Sequence, residues 1–239
     1  MKNRIGKILN FAILSMFFVA ACTSPSDADE SNENLVNEET EIIEETEDRQ
    51  LVNETASTPT PKPIEEEEEM QNKKVLVVVS RDRYQSLELI PVLTELTCGG
   101  YEAVISSDEI GTAIGTTENK EVTIAFKDIN TADYIGIVLI GGSNSLWYNG
   151  ELHAVINAMN DEEKLVAAIC YGSVTLATGK VIGEGDTACW YNSSESDPVM
   201  QEHGVLDTAM DVTINDNIIT GDGPNAAEEF AKAVVDYLN

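Results

Sequence analysis

The chain has 239 residues, with 43 acidic against 14 basic side chains and a net charge of −29 at pH 7. That excess sets nucleic acid aside as a partner, because phosphates are repelled rather than neutralised. Its four cysteines include no C-x-x-C pair, so neither a zinc site nor a disulfide framework is indicated.

Residues 2–22, KNRIGKILNFAILSMFFVAAC, have the layout of an export signal: Lys2, Arg4 and Lys7, then an apolar run from Ile8 to Ala21. The run is short for a membrane span, which needs roughly 20 apolar residues. Its small-small-Cys ending resembles a bacterial lipoprotein signal, cut before Cys22, whose thiol then carries the acyl (palmitate-type) anchor. The alternatives are an ordinary signal peptide or an anchor helix in which Cys22 is incidental. On the lipoprotein reading the chain is held on the extracytoplasmic face of a bacterial cell membrane. Residues 23–72 hold seventeen Asp/Glu against Arg49 and Lys62, with no aromatic residue, and include STPTPKP and EEEEE. Such composition cannot offset the entropy of ordering and is expected to stay a disordered, self-repelling tether.

From Lys73 to Asn239 the pattern turns globular and is long enough for one domain with a good core. KVLVVVS (74–80) reads as a strand buried on both faces. SLELIPVLTELTCGG comes next as an amphipathic helix, with Leu87, Ile90, Leu93 and Leu96 at helical spacing, Pro91 in the first turn or at a kink, and a Gly-Gly stop. YEAVISS is a second strand, and residues 108–130 wander or form a hairpin. YIGIVLIGG (134–142) is a third buried strand, and SLWYNGELHAVINAMNDEE a helical stretch interrupted near Asn149-Gly150. KLVAAIC is a fourth buried strand, leading into the short helix SVTLAT, capped by Gly179. DTACW, MDVTI and NIIT are shorter strands, and NAAEEFAKAVVDYL closes the chain as an amphipathic helix. This alternation predicts an α/β, flavodoxin-like sandwich: a mainly parallel central sheet with helices on both faces.

In such sheets chemistry gathers beyond the carboxyl ends of strands. Cys170 stands at one, at a strand-to-helix turn containing Gly172, the setting of a nucleophile elbow. The helix N-terminus beyond it is expected to favour the thiolate. The bland alternative is a strand-end core cysteine.

AAICYGSVTLA, with LIGGS upstream and GDGPNAAEEFAKAVVDYL downstream, resembles the ThiJ/PfpI family of the class I glutamine-amidotransferase-like fold, over essentially residues 73–239. That family includes a parkinsonism-associated protein, bacterial stress proteins and archaeal intracellular proteases. The resemblance implies that Cys170 is the elbow cysteine and that Glu88, in YQSLELIPV, is the carboxyl that hydrogen-bonds it; Glu88 could otherwise be a solvated first-turn residue. It implies that Gly142 and the N–H of Tyr171 form the oxyanion-hole pair, and that Gly223 and Pro224 lie in a loop near the pocket. Tyr171 departs from the His that family proteases carry at this point, which disfavours peptidase activity. A second family branch places a His where this chain reads Cys189-Trp190-Tyr191. His153 is expected on a helix surface and His203 in a loop able to approach the site. Gln85 stands where some members carry a further acid. Trp190 and Tyr191 are expected to line a pocket, or to fill a core or dimer seam.

Two functions stay open at this level. One is a cysteine-dependent hydrolase, lyase or glyoxalase-like activity on small carbonyl compounds. The other is a non-catalytic module that senses oxidants through Cys170 or binds a ligand. The resemblance also implies a homodimer. No metal or organic cofactor is implied, since the Gly-rich turns lack G-x-G-x-x-G or Walker spacing. Pairing of Cys98 or Cys170 with Cys189 is left open.

Overall fold

The computed structural model describes residues 73–239, so the export-signal reading, Cys22 and the acidic tether lie outside the described residues. Seven strands build the main sheet: β1 (Lys74–Val78), β3 (Glu102–Ser107), β6 (Ile124–Ala125), β7 (Gly136–Leu139), β8 (Leu165–Ile169), β11 (Val212–Asn215) and β12 (Ile218–Gly221). Their spatial order is β11-β12-β8-β7-β1-β3-β6. All neighbouring pairs are parallel except β11 with β12. This is the α/β sandwich expected from the sequence. The β-branched run of β1 is buried on both sides because its side chains alternate between two cores. Val75, Val77 and Val79 join Leu89, Val92, Leu96, Phe230 and Val234 in one layer. Leu76 and Val78 join Leu152, Ile156, Met159 and Val174 in the other.

The first layer is supplied by α1 (Ser86–Cys98) and α5 (Ala227–Leu238), the second by α2 (Gly150–Asp161), α3 (Tyr171–Thr178) and α4 (Ser196–Glu202). The face buried by α1 differs from the one its leucine spacing suggests. Leu89, Val92 and Leu96 are buried with Ser86 and Glu88, whereas Leu87 is 55% and Ile90 43% exposed. The helix turns to bury Glu88, so part of the apolar stripe faces outward. Pro91 lies just past the first turn. The carbonyl deprived of its donor is that of exposed Leu87, where water can replace the lost bond.

The segment 108–130 contains β4 (Gly111–Gly115) and β5 (Asn119–Val122), an antiparallel hairpin. β4 pairs on its other side with β2 (Asp82–Tyr84). The hairpin is clamped to the start of α1: Ser86 Oγ accepts from Thr117 N at 3.1 Å, and Thr116 Oγ1 donates to Gln85 Oε1 at 2.9 Å. A two-strand ladder of β9 (Thr187–Ala188) and β10 (Leu206–Asp207) completes the set. Cys170 and Cys189 are free thiols, which removes both disulfide pairings involving Cys189. α4 and β10 have no apolar period and went unread in the sequence.

Candidate functional site

Strands β1, β7, β8 and β12 end on one side of the sheet, and the site is assembled there from the segments leaving three of them. At the end of β8 the chain turns at Cys170, with φ 60° and ψ −126°. A non-glycine residue there is strained by about 1–3 kcal/mol. Hydrogen bonds hold the turn: Cys170 N–H donates to the Gly221 carbonyl at 2.8 Å, and Cys170 C=O accepts from Ser173 N–H at 3.2 Å. The strain lifts the sulfur out of the strand line toward the end of β7, as the elbow reading expects.

Beyond β7 come Gly141 and Gly142. A Cβ on Gly141 would lie 2.6 Å from Cys170 Cβ and 2.9 Å from both Cys170 Sγ and Glu88 Oε2. Only glycine lets three segments converge so closely. Gly142 has φ +114°, and a Cβ there would meet the Arg83 carbonyl at 2.4 Å. Gln85 N–H donates to the Gly141 carbonyl at 2.9 Å, tying the entrance of α1 to this pair. Gln85, where some relatives carry an acid, is a helix cap, its Oε1 accepting from Leu87 N–H.

α1 then delivers Glu88, wholly buried. Its Oε2 accepts from Gly141 N–H at 2.8 Å, while Oε1 has no hydrogen-bond partner. Burial pushes the Glu88 carboxyl up to about 7, against the lowering pull of the Gly141 N–H and of the Cys170 thiol. The Cys170 thiol is also pushed up, first by burial and then by the Glu88 charge, while the N–H groups of Tyr171 and Gly142 pull it down. The expectation that the helix N-terminus leaves a depressed thiol therefore needs correction. α3 is two turns long and Cys170 is only 7% exposed, so desolvation outweighs the dipole. The chemistry sits in the pair: burial makes both groups resist ionisation, the thiol eases that of the carboxyl, and the carboxylate charge opposes that of the sulfur.

Cys170, Glu88, Gly142 and Tyr171 come together in one place. The histidines do not. His153, on α2, is fixed by its Nε2 2.8 Å from the Trp147 carbonyl. His203 ends α4, its N–H on the Val199 carbonyl, beside the Gly183–Asp186 turn. Among the described residues neither ring bonds Cys170 or Glu88. Trp190 is core, with Nε1 donating to Asp197 Oδ1 at 3.0 Å. Tyr191 instead is 48% exposed and lies over Gly223, where a Cβ would meet its ring at 3.1 Å. Sequence reasoning missed Trp147, whose Nε1 donates to the Tyr171 carbonyl at 2.9 Å and steadies the elbow. It also missed Ser193, whose Oγ meets the Tyr171 hydroxyl at 3.0 Å. No local pattern marks either residue; both act through contacts distant in sequence.

The sequence profile of the DJ-1/PfpI family matches residues 73–237. The chain belongs to that family. An uncharacterized protein of Methanocaldococcus jannaschii is 29% identical over 175 residues, covering 72% of this chain and 85% of the relative. A glutathione-independent glyoxalase of Caenorhabditis elegans is 26% identical over 172 residues, covering 70% of this chain and 89% of the relative. The crystal structure of a ThiJ/PfpI domain protein from Brachyspira murdochii superposes with a TM-score of 0.67 at 26% identity, covering 70% of this chain and 97% of that one. Relatives of this chain thus include a glyoxalase, and the fold is shared with the Brachyspira domain.

Proposed function

We propose that this DJ-1/PfpI domain is a cysteine-dependent, glyoxalase-like enzyme acting on small carbonyl compounds. The observation that carries the reading is the wholly buried Glu88 carboxyl beside Cys170, one oxygen held by Gly141 N–H and the other unpartnered. A buried carboxyl poised near neutrality can take and return protons at physiological pH. The similarity to a glutathione-independent glyoxalase supports the choice of reaction.

In this scheme Cys170 Sγ adds to the aldehyde carbon of an α-oxoaldehyde, and the thiol proton passes to Glu88. The former carbonyl oxygen, two bonds from sulfur, falls within reach of the Gly142 and Tyr171 N–H groups that already lean on that sulfur. Glu88 passes the thiol proton to the former carbonyl oxygen, and the carboxylate so freed moves the hydrogen of the aldehyde carbon, as a proton, to the neighbouring carbonyl carbon, while the new hydroxyl's proton goes to the neighbour's oxygen. The aldehyde carbon is oxidised to a thioester and its neighbour reduced to an alcohol, with no external redox partner. Water cleaves the C–S bond, releasing the 2-hydroxy acid and restoring the thiol. No histidine takes part, which sets the site apart from a Cys-His peptidase.

The test is lactate formation from methylglyoxal, monitored by NMR. Cys170→Ser and Glu88→Gln should each lower kcat/KM by at least about 100-fold. Turnover by wild-type protein that survives Cys170→Ser would end the proposal. A second reading, oxidant sensing, is favoured by one feature: the Gly142 and Tyr171 amides face the sulfur itself and would serve a sulfinate equally well.

The proposal extends to location: a lipid on Cys22 holds the domain at the outer face of a bacterial membrane, with residues 23–72 as spacer, and the domain pairs as a homodimer. The basic-apolar-Cys order of residues 2–22 supports the anchor. Metabolic labelling with a palmitate analogue should mark the chain in a bacterial host, and equal labelling of Cys22→Ala would overturn the anchor.

A further inference from the structure

Three aromatic rings run outward from the elbow. Trp147, buried, packs edge-on against Tyr171 with centroids 5.1 Å apart, and Tyr171 packs against Tyr191 at 6.2 Å and 62°. The inner two are fixed at their polar atoms, by Trp147 Nε1 on the Tyr171 carbonyl and by the Tyr171 hydroxyl on Ser193 Oγ. Tyr191 is held by its main chain, its carbonyl accepting from Ser196 Oγ at 2.6 Å. Its ring stays half exposed, and among the described residues its hydroxyl bonds to no protein group.

Position gives this ring its meaning. Gly221 takes the N–H of Cys170, and two residues on Gly223 lies against the Tyr191 ring. On the other side Tyr191 touches Tyr171, the next residue after Cys170. It therefore bridges the two segments that flank the elbow and turns an open aromatic face to the solvent beside them. Asp222, between those glycines, donates its N–H to the Asp211 carbonyl, and its charge acts on Cys189.

We propose that Tyr191 is a specificity-determining residue of the Cys170 site, and that the site prefers carbonyl compounds bearing a flat aromatic substituent beside the reacting carbon. The inference rests on the reading of Cys170 as the group that meets a carbonyl, and adds what lies next to it. An aromatic substituent extends the row of rings from Trp147 by one, whereas a methyl group leaves the Tyr191 face wet.

The test compares phenylglyoxal with methylglyoxal on the full chain, together with binding of the unreactive ketones acetophenone and acetone measured by ligand-observed NMR. Phenylglyoxal should have a roughly three- to tenfold lower KM than methylglyoxal, with kcat similar, and acetophenone should bind tighter than acetone by a similar factor. Tyr191→Ala should bring both ratios close to one, while Tyr191→Phe, which keeps the ring, should preserve them. A Tyr191→Ala protein that keeps both preferences, or a wild type that shows neither, overturns the inference. If neither aldehyde is turned over, the glyoxalase reading falls by itself. The ketone ratio in wild type and Tyr191→Ala then decides the aromatic subsite alone.

Discussion

Two buried free thiols invite comparison. Cys170 and Cys189 are 7% and 1% exposed, burial raises both, and each has a carboxyl with a raised pKa as neighbour, Glu88 and Asp222. Their hydrogen-bonding surroundings differ. Cys189 donates to the main-chain oxygen of Thr220 at 3.1 Å and to that of Asp211 at 3.6 Å. Thr213 and Thr220 pull its titration down, but less than burial raises it. Cys189 thus meets donors too, a Thr213 N–H among them, but its thiol proton goes to main-chain carbonyls. Cys170 faces two N–H groups and an acid with an uncommitted oxygen. That environment accepts an anion, or an oxygen attached to sulfur, without leaving a new buried group unsatisfied. Burial is shared, so burial does not separate a structural cysteine from a reactive one. A neighbouring carboxyl oxygen left without a partner does.

The strongest way to break this comparison is oxidation. Under mild peroxide Cys170 should gain two oxygens, as a sulfinic acid, at a rate roughly tenfold or more above that of Cys189. Its rate should rise as pH passes about 7, where Glu88 loses its proton and can take that of the thiol. The Cys189 thiol is hydrogen-bonded to main-chain oxygens instead, and Asp222 acts on it only through its charge. Intact mass and then peptide mapping read both sites, with Cys170→Ser as the control for Cys189. Equal oxidation of the two thiols would remove the distinction drawn from the free Glu88 oxygen.

The same contrast shows what the sequence could reveal. β1, β7 and β8 are visible as apolar runs because a strand buried on both faces has no other composition available. Cys170 is visible because an apolar run stops there and small residues come next. The convergence of Gly141, Cys170 and Glu88 is not visible: it is a contact among residues far apart in the chain, and it became an expectation only through family resemblance. The same burial of Glu88 explains the error in α1. Leucine spacing alone places Leu87 and Ile90 inward, but the helix is rotated to put a carboxyl at the sheet's end. Tyr191 and Trp190 are neighbours with similar side chains and opposite fates, one at the rim and one in the core. Neither composition nor period separates them.

A smaller effect sharpens the comparison of the two acids. Glu88 is raised from an ordinary 4.5 to about 7 in the folded chain, so between those pH values the native state binds a proton that the unfolded state has released. Stability from this group is therefore fully present below about 4.5 and lost as pH rises through about 7. A shift of this size corresponds to roughly 3 kcal/mol across the window. Glu88→Gln keeps the shape without the charge, so the variant should be level with wild type near pH 4.5 and more stable by up to about that amount above pH 7. Denaturant unfolding at a series of pH values measures the difference. Asp222, raised by burial and by the charges of Asp211 and Asp207, contributes a slope of the same sign but is less enclosed. Asp222→Asn should accordingly flatten the profile less than Glu88→Gln. A reversed order would place the more strongly desolvated acid beside Cys189, and the claim that Cys170 has the better proton partner would have to be given up.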